Sequence, residues 1–257
     1  MENPQTMKIR FLGTGTSTGV PQIGCECDVC KSVNPKDKRL RCSVLLSDDT
    51  QQVLIDCGPD FRQQAIDAEI KHLDAILISH EHYDHVGGLD DIRPLGDAHV
   101  YAEKRVLTAI RRNMPYCFTE NKYPGVPVVN LNEITATEDF KVGKWQVVPL
   151  RVMHGKLPIL GYRIGKLAYL TDVKEISEEV INQLSDLDVL VLNALRQEPH
   201  PSHMSVSEAV ELGKKINAKQ VYFTHFSHRI GLHEVTDLTL PEKFHLAYDH
   251  LVVNVGQ

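Results

Sequence analysis

The segment Ile76-Leu77-Ile78-Ser79-His80-Glu81-His82-Tyr83-Asp84-His85-Val86-Gly87-Gly88-Leu89 constrains this chain more than any other, because an apolar run breaks abruptly into three histidines and an aspartate. A continuous apolar run this short reads as a buried strand, Ala75 to Ser79, with the polar residues on the loop where it ends. Imidazole and carboxylate are donors that suit zinc and its divalent neighbours. Successive side chains of an extended chain point to opposite sides, so residues two apart share one. The spacing therefore predicts His80 and His82 on one ion, with Asp84 and His85 on a second close by. Gly87 and Gly88 permit a tight turn into a helix expected near Leu89.

A second cluster stands near the N-terminus. Gly24-Cys25-Glu26-Cys27-Asp28-Val29-Cys30 places three thiols close enough to bind one tetrahedral ion, which predicts a structural-zinc loop over about residues 24–41 with a fourth ligand from elsewhere. A redox pair at Cys27 and Cys30 is the rival reading, but its βαβ context is missing. Cys42, Cys57 and Cys117 lie in or near apolar stretches and read as small core residues. The glycine-rich stretch 13–19 follows a strand expected over Met7 to Leu12 and runs into cysteines, so a structural turn is preferred to a phosphate cradle.

Ser43 to Leu46 and Gln52 to Ile55 read as a hairpin, followed by Asp56 and a helix from Phe61 to Asp67. Asp56 is expected to cap the turn or bond the ligand loop rather than to ligate. Glu103 to Arg112 has helical periodicity. Residues 113–126, with two prolines, a glycine and three aromatics, either overhang the site as a lid or cross the surface, and are the candidate for substrate selectivity. Trp145 to Val152 reads as a strand that delivers His154, the expected third ligand of the first ion. Gly161 to Ile164 and Lys166 to Leu170 form a hairpin ending at Asp172, placed as a bridging carboxylate, with a cap to a Glu175 to Leu184 helix as the alternative. After the strand Leu187 to Leu192, His203 precedes a helix that Ser205 or Ser207 caps and that runs to Ile216. Lys219 to Phe223 delivers His225, suited to the second ion, and His228, suited to the cysteine zinc. A terminal strand is expected over Leu246 to Val255. His72, His99, His233, His245 and His250 have no partners at recognisable spacing and read as surface or supporting residues.

The chain has 257 residues, 42% of them hydrophobic, with a formal charge of −6, and is expected to form a single α/β domain over 1–257. The charges are interspersed, which argues against a nucleic-acid partner. Residues 1–8 lack a signal-like core and no run is long enough to span a membrane, so a cytoplasmic location without membrane association is expected.

The His80–His85 pattern resembles the signature of the metallo-β-lactamase fold superfamily, which implies a four-layer αβ/βα sandwich with a dinuclear metal site at the open edge of its two sheets. Together, the cysteine cluster, this loop, Leu170-Thr171-Asp172, His203 before its helix and Thr224-His225-Phe226-Ser227-His228 resemble the phosphoribosyl cyclic phosphodiesterase family of the carbon–phosphorus lyase pathway. The likeness runs from Gly13 to about His228. It implies a structural zinc on Cys25, Cys27, Cys30 and His228. It also implies a pair of divalent ions, zinc or manganese, held by His80, His82 and His154 and by Asp84, His85 and His225, with Asp172 bridging. The reaction implied is hydrolysis of a small phosphodiester, such as a cyclic phosphate, by a hydroxide between the ions with His203 as general acid. Asp172 and His203 are thus the expected catalytic residues, and a homodimer is the candidate assembly. The segments 113–126 and 196–202 depart from the family pattern. A protein of pyrroloquinoline quinone synthesis shares the cysteine cluster. The alternatives are a tRNA 3′-processing endonuclease, a thioester or lactam hydrolase of the same superfamily, and a metal-holding protein without turnover.

Overall fold

The computed structural model describes residues 7–121 and 123–256; the N-terminal six residues, on which most of the leader reading falls, and Lys122 of the segment 113–126 lie outside them. The first group of strands is β1 (Met7–Gly13), β2 (Ser43–Ser47), β3 (Gln52–Ile55), β4 (Ala75–Leu77), β5 (Ala98–Ala102) and β6 (Val129–Glu133). The second is β7 (Phe140–Val142), β8 (Trp145–His154), β9 (Leu157–Ile164), β10 (Leu167–Leu170), β11 (Glu175–Ile176), β12 (Val189–Asn193), β13 (Gln220–Thr224) and β14 (Phe244–Leu246), and β15 (Val252–Val255) returns to the first. Two mixed sheets result, ordered β15-β1-β2-β3-β4-β5-β6 and β11-β8-β9-β10-β12-β13-β14, with β7 paired to β8.

Strict alternation within strands explains the layering, because successive side chains leave opposite faces of a sheet. Ile9, Phe11, Val44, Leu46, Val53 and Ile55 pack with Val147, Tyr162, Leu167 and Val191 between the two sheets. Their neighbours Leu45, Leu54, Ile76 and Val100 face outward and are covered by Phe61 of α2 (Phe61–Asp67) and by Val106 and Ile110 of α4 (Lys104–Asn113). On the other side Leu150, Val152, Leu190 and Leu192 pack against Val180 of α5 (Glu178–Asn182) and Ala209 and Ile216 of α6 (Val206–Ile216). The order helix, sheet, sheet, helix is the four-layer sandwich, and strands buried on both faces read as the unbroken apolar runs seen in the sequence. Among the described residues no helix is long and apolar enough to cross a membrane.

Three local expectations change. The turn after Gly88 is a 3-10 helix, Leu89–Leu95, which carries Pro94 inside it. Glu175 and Ile176 pair with Met153 and Val152 as β11, and Ser177 caps the helix only from Glu178. Residues 246–255 are split between β14 and β15, with His250 between them at φ 73°.

The loop from Gly13 to Arg41 is tied to the C-terminal segment by a buried guanidinium. Arg39 donates to Thr14 Oγ1 at 2.8 Å, to the Ala247 carbonyl at 2.8 Å and to His233 Nδ1 at 3.1 Å, and lies over the Phe226 ring. His233, expected at the surface or in support of the site, is instead a buried acceptor for this arginine. An imidazole that accepts from a guanidinium must be neutral. Burial, then the Arg39 charge, pulls His233 down to about 4. The unfolded chain takes up this proton near pH ~6.5, so the stability from the neutral ring is present above that pH and is lost as pH falls toward the folded value. His233→Gln keeps an acceptor that does not titrate. Its melting temperature should fall less than that of the parent between about pH 7.5 and pH 5, and equal falls would remove His233 from the account.

Candidate metal centre

Most of the residues that build the site lie at the end of a strand or in the turn that follows it, while Asp84 and His85 lie in a short helix after β4. Asp56 follows β3, His80 follows β4, His154 ends β8, Asp172 follows β10 and His225 follows β13. Asp56, Asp172 and His225 are left-handed, at φ 62°, 59° and 60°. Non-glycine residues adopt that region at a cost, and it turns each side chain out of the strand direction toward the shared edge of the sheets. The ligand loop continues through α3 (Tyr83–Val86) and lies directly on residues 57–58. Cys57 N–H donates to the His85 carbonyl at 2.8 Å, and Gly88 N–H donates to the Cys57 carbonyl at 2.9 Å. A Cβ on Gly58 would meet the Asp84 carbonyl at 2.1 Å, so only glycine permits this approach.

The histidines converge with fixed tautomers. His85 Nδ1 donates to Asp56 at 2.7 Å. The Ser79 hydroxyl donates to the same carboxylate at 2.9 Å, which leaves its oxygen to accept from His80 Nδ1 at 3.0 Å. His154 Nδ1 donates to the Ser202 carbonyl at 2.7 Å. One buried carboxylate therefore orients two rings, and the Nε2 atoms of His80, His85 and His154 are left as bare lone pairs. His80 Nε2 faces His82 Nδ1 at 2.9 Å. His85 Nε2 and both ring nitrogens of His225 are buried without a hydrogen-bond partner.

Donor atoms of His80, His82, His154 and Asp172 lie within 4.8 Å of one another, as do those of Asp84, His85 and His225. Asp172 divides its oxygens between these groups. Oδ2 lies 3.8 Å from His80 Nε2, whereas Oδ1 lies 3.2 Å from His225 Nε2 and 3.6 Å from His85 Nε2. Ligand atoms about 2.0–2.1 Å from one tetrahedral ion are roughly 3.3 Å apart, so unprotonated nitrogens and carboxylates at these separations suit two divalent cations. Burial pushes Asp84 and Asp172 up, but the adjacent imidazoles outweigh it and hold both carboxylates well below their usual range. Burial lowers His80. Burial also opposes charge on His85, yet Asp56, Asp84 and Asp172 raise it, so ion and proton compete there.

His203 stands beside this group, with Nδ1 4.0 Å from Asp172 Oδ2 and its ring 4.5 Å from His154 and 4.9 Å from His225. Burial drives it down to about 3. Sequence reasoning passed over two neighbours. Arg105 pairs with Glu81 of the ligand loop and donates to the Pro158 carbonyl at 2.7 Å, pinning that loop to β9. The His200 ring lies tilted against His203, with centroids 5.2 Å apart. Met114 and Tyr116, from the segment 113–126, border a cavity of about 260 Å³ with Tyr83 and Asp90, and Tyr116 donates to Asp90 at 2.7 Å.

The thiols form a separate group. Cys25, Cys27 and Cys30 Sγ lie 3.0, 3.4 and 3.5 Å from His228 Nδ1. Bonds of about 2.3 Å to sulfur and 2.0–2.1 Å to nitrogen put tetrahedral S···N edges at roughly 3.5 Å, so this set fits one zinc. The Cys30 backbone N–H, together with the other thiols and His228, lowers Cys27 to about 6, while burial raises Cys30 to about 11.

Residues 51–226 match the model of the β-lactamase superfamily domain. The crystal structure of a diphosphatase from the PhnP family superposes with a TM-score of 0.91, at 39% identity and over 97% of both chains. The chain belongs to the PhnP family of the β-lactamase superfamily. It thus has the metallo-β-lactamase fold, with donor groups that suit divalent metal. An octanoyltransferase of Porphyromonas gingivalis is 46% identical over 250 residues, which are 95% of this chain and 51% of that protein, so the chain spans about half the length of that relative. Zinc-bound PqqB from Methylobacterium extorquens shares the fold, with a TM-score of 0.80 at 19% identity over 96% of this chain and 99% of the other.

Two variants test this PhnP-family site. Cys30→Ser should lose one of about three ions per chain and lower the melting temperature, and full metal content with unchanged melting would refute a structural zinc. Asp56→Asn removes the charge and replaces one of the two acceptor oxygens, shared between Ser79 and His85, with a donor, and should weaken active-site metal binding by about 10–100-fold in a chelator competition; an unchanged affinity would show that the loop holds its rings without it.

Proposed function

We propose that this protein hydrolyses a small phosphodiester, with a cyclic phosphate such as a phosphoribosyl cyclic phosphate as the substrate class. Two divalent ions, zinc or manganese, serve the His/Asp site and one structural zinc serves the thiolate site. The observation that carries the reading is the division of the Asp172 oxygens between two donor groups. When bound, such a pair supplies hydroxide at neutral pH and positive charge for the phosphoryl oxygens. His80, His82 and His154 hold one ion and Asp84, His85 and His225 the other, with Asp172 shared. Asp56 and the Ser202 carbonyl fix the rings so that the site is organised before substrate arrives. The diphosphatase relative supports phosphoryl chemistry.

His203 protonates the leaving oxygen. Burial keeps the free ring neutral at pH 7, so it takes up its second proton from solvent as the substrate binds. A phosphate anion beside the imidazole favours the charged form by Coulomb attraction and opposes the effect of burial. Thioester hydrolysis is the second reading, favoured by the name of the octanoyltransferase relative. Metal-loaded protein offered bis(p-nitrophenyl) phosphate, ribose cyclic phosphates, an octanoyl thioester, nitrocefin and a tRNA precursor separates the readings, and turnover of the thioester alone overturns the phosphodiester assignment.

His203→Ala should lower kcat by about 10²–10⁴-fold on an alkyl or cyclic ester, with metal content unchanged. The loss should be much smaller on a p-nitrophenyl ester, whose leaving group departs without a proton. Equal losses on both would make His203 a phosphate-positioning group, and loss of metal would make it a ligand.

A further inference from the structure

Two donors of the centre are reached in the same way. Thr171 follows β10 and Thr224 ends β13, and each threonine precedes a left-handed donor residue, Asp172 or His225. Both threonines are wholly buried, and their hydroxyls share a neighbour from the other sheet. Cys42, just ahead of β2, has its Sγ 3.3 Å from Thr224 Oγ1, 3.9 Å from Thr171 Oγ1 and 3.2 Å from the Tyr169 hydroxyl. A small polar layer thus lies between the apolar sheets next to Asp172.

The two threonines differ in one respect. Thr171 donates its hydroxyl proton to Asp172 Oδ1 at 2.7 Å, whereas among the described residues the Thr224 hydroxyl is hydrogen-bonded to Cys42 and to no metal donor. The terminal torsion of an aspartate is broad and roughly two-fold, so a left-handed backbone aims the carboxyl group without fixing its plane. The backbone itself is well tied. Val173 N–H donates to Asn193 Oδ1 at 2.7 Å, and Met204 N–H donates to the Val173 carbonyl at 3.1 Å. What is left to fix is rotation of the carboxylate, and the Thr171 hydroxyl opposes it. With Oδ1 held, that oxygen stays 3.2 Å from His225 Nε2 and 3.6 Å from His85 Nε2, and Oδ2 stays toward His80 Nε2 at 3.8 Å.

We propose that Thr171 is a positioning residue whose hydroxyl locks the plane of the Asp172 carboxylate, so that one oxygen serves each donor group and a second ion can bind. This deepens the two-ion reading of the site and rests on it. A carboxylate released from Thr171 can turn both oxygens to one ion, and the bridge is then lost. Hydrogen-bond partners that orient a metal-binding side chain contribute about 10–100-fold in metal affinity.

The test titrates manganese(II) into the His/Asp site, with zinc kept on the thiols, in the parent protein and in Thr171→Val, Thr171→Ser and Thr224→Val. Imidazole and carboxylate suit manganese and thiolate does not, so the two sites are read apart. In a chelator competition Thr171→Val should bind the second manganese about 10–100-fold more weakly than the parent, while the first is held nearly as before. At metal concentrations that saturate the parent, the electron paramagnetic resonance signal of a coupled pair should give way to that of isolated manganese. Thr171→Ser keeps the hydroxyl and should restore the pair. Thr224→Val deletes an equally buried hydroxyl from the same layer and should keep it. Where Thr171→Val does not fold, Thr171→Ala removes the hydroxyl without setting a methyl group against Asp172 and carries the same expectation. Equal losses in the Thr171 and Thr224 variants, no rescue by Ser, or an unchanged second affinity overturns the proposal. If the parent binds a single manganese, the two-ion reading fails. A weaker hold on that one ion in Thr171→Val than in Thr171→Ser then still supports the grip of Thr171 on Asp172, and an equal hold overturns it.

Discussion

The burial of carboxylates between two apolar sheets is the constraint on which the rest depends. Asp56 and Asp172 are almost wholly removed from water, and Asp84 nearly so. An unpaired ion in such surroundings costs several kcal/mol even after relaxation. The cost is met by convergence: Asp56 accepts from Ser79 and His85, and Asp172 and Asp84 face imidazole nitrogens. Neither the charges nor the lone pairs are stable singly, so the loops must bring them together or the sandwich edge does not close.

Strand-end geometry makes that convergence attainable. Side chains within the sheets alternate between two cores and cannot leave them. A left-handed residue at the strand end breaks the alternation, which is why Asp56, Asp172 and His225 share one backbone conformation while lying far apart in sequence. The strain is tolerated because the strands behind are largely buried and hydrogen-bonded on both edges, as β3 is by β2 and β4 and β13 by β12 and β14.

Much of the fold was legible because buried strands declare themselves as apolar runs. The Met7, Ser43, Gln52, Trp145 and Lys219 segments lie where sequence pattern expected strands, and the helices starting near Phe61, Lys104 and Val206 match their periodicity. Ala98–Ala102 and Val129–Glu133 were not read, because five-residue strands with exposed His99 or half-buried asparagines carry too little pattern. The donors of the metal centre could be named because their residue types are few and their spacing is tight. Their supports could not. Pairing of Arg105 with Glu81, of His154 with Ser202 and of His233 with Arg39 joins residues 24, 48 and 194 positions apart, and no local signal foretells such contacts.

The two donor clusters are mechanically one unit. Thr224 to His228 turns from β13 with His225 aimed at one cluster and His228 at the other, and the backbone between them is gripped by the N-terminal loop. Phe226 N–H donates to the Thr14 carbonyl at 2.9 Å and Thr16 N–H to the Phe226 carbonyl at 2.8 Å. Arg39 covers the Phe226 ring from the same loop. The thiols meet His228 on the same turn that carries His225, so the two donor groups share one support. The hydrophobic group at the cysteines, Val20, Val29 and Cys30, is small, so the loop depends on the polar contacts of Arg39 and on the donor group itself rather than on burial.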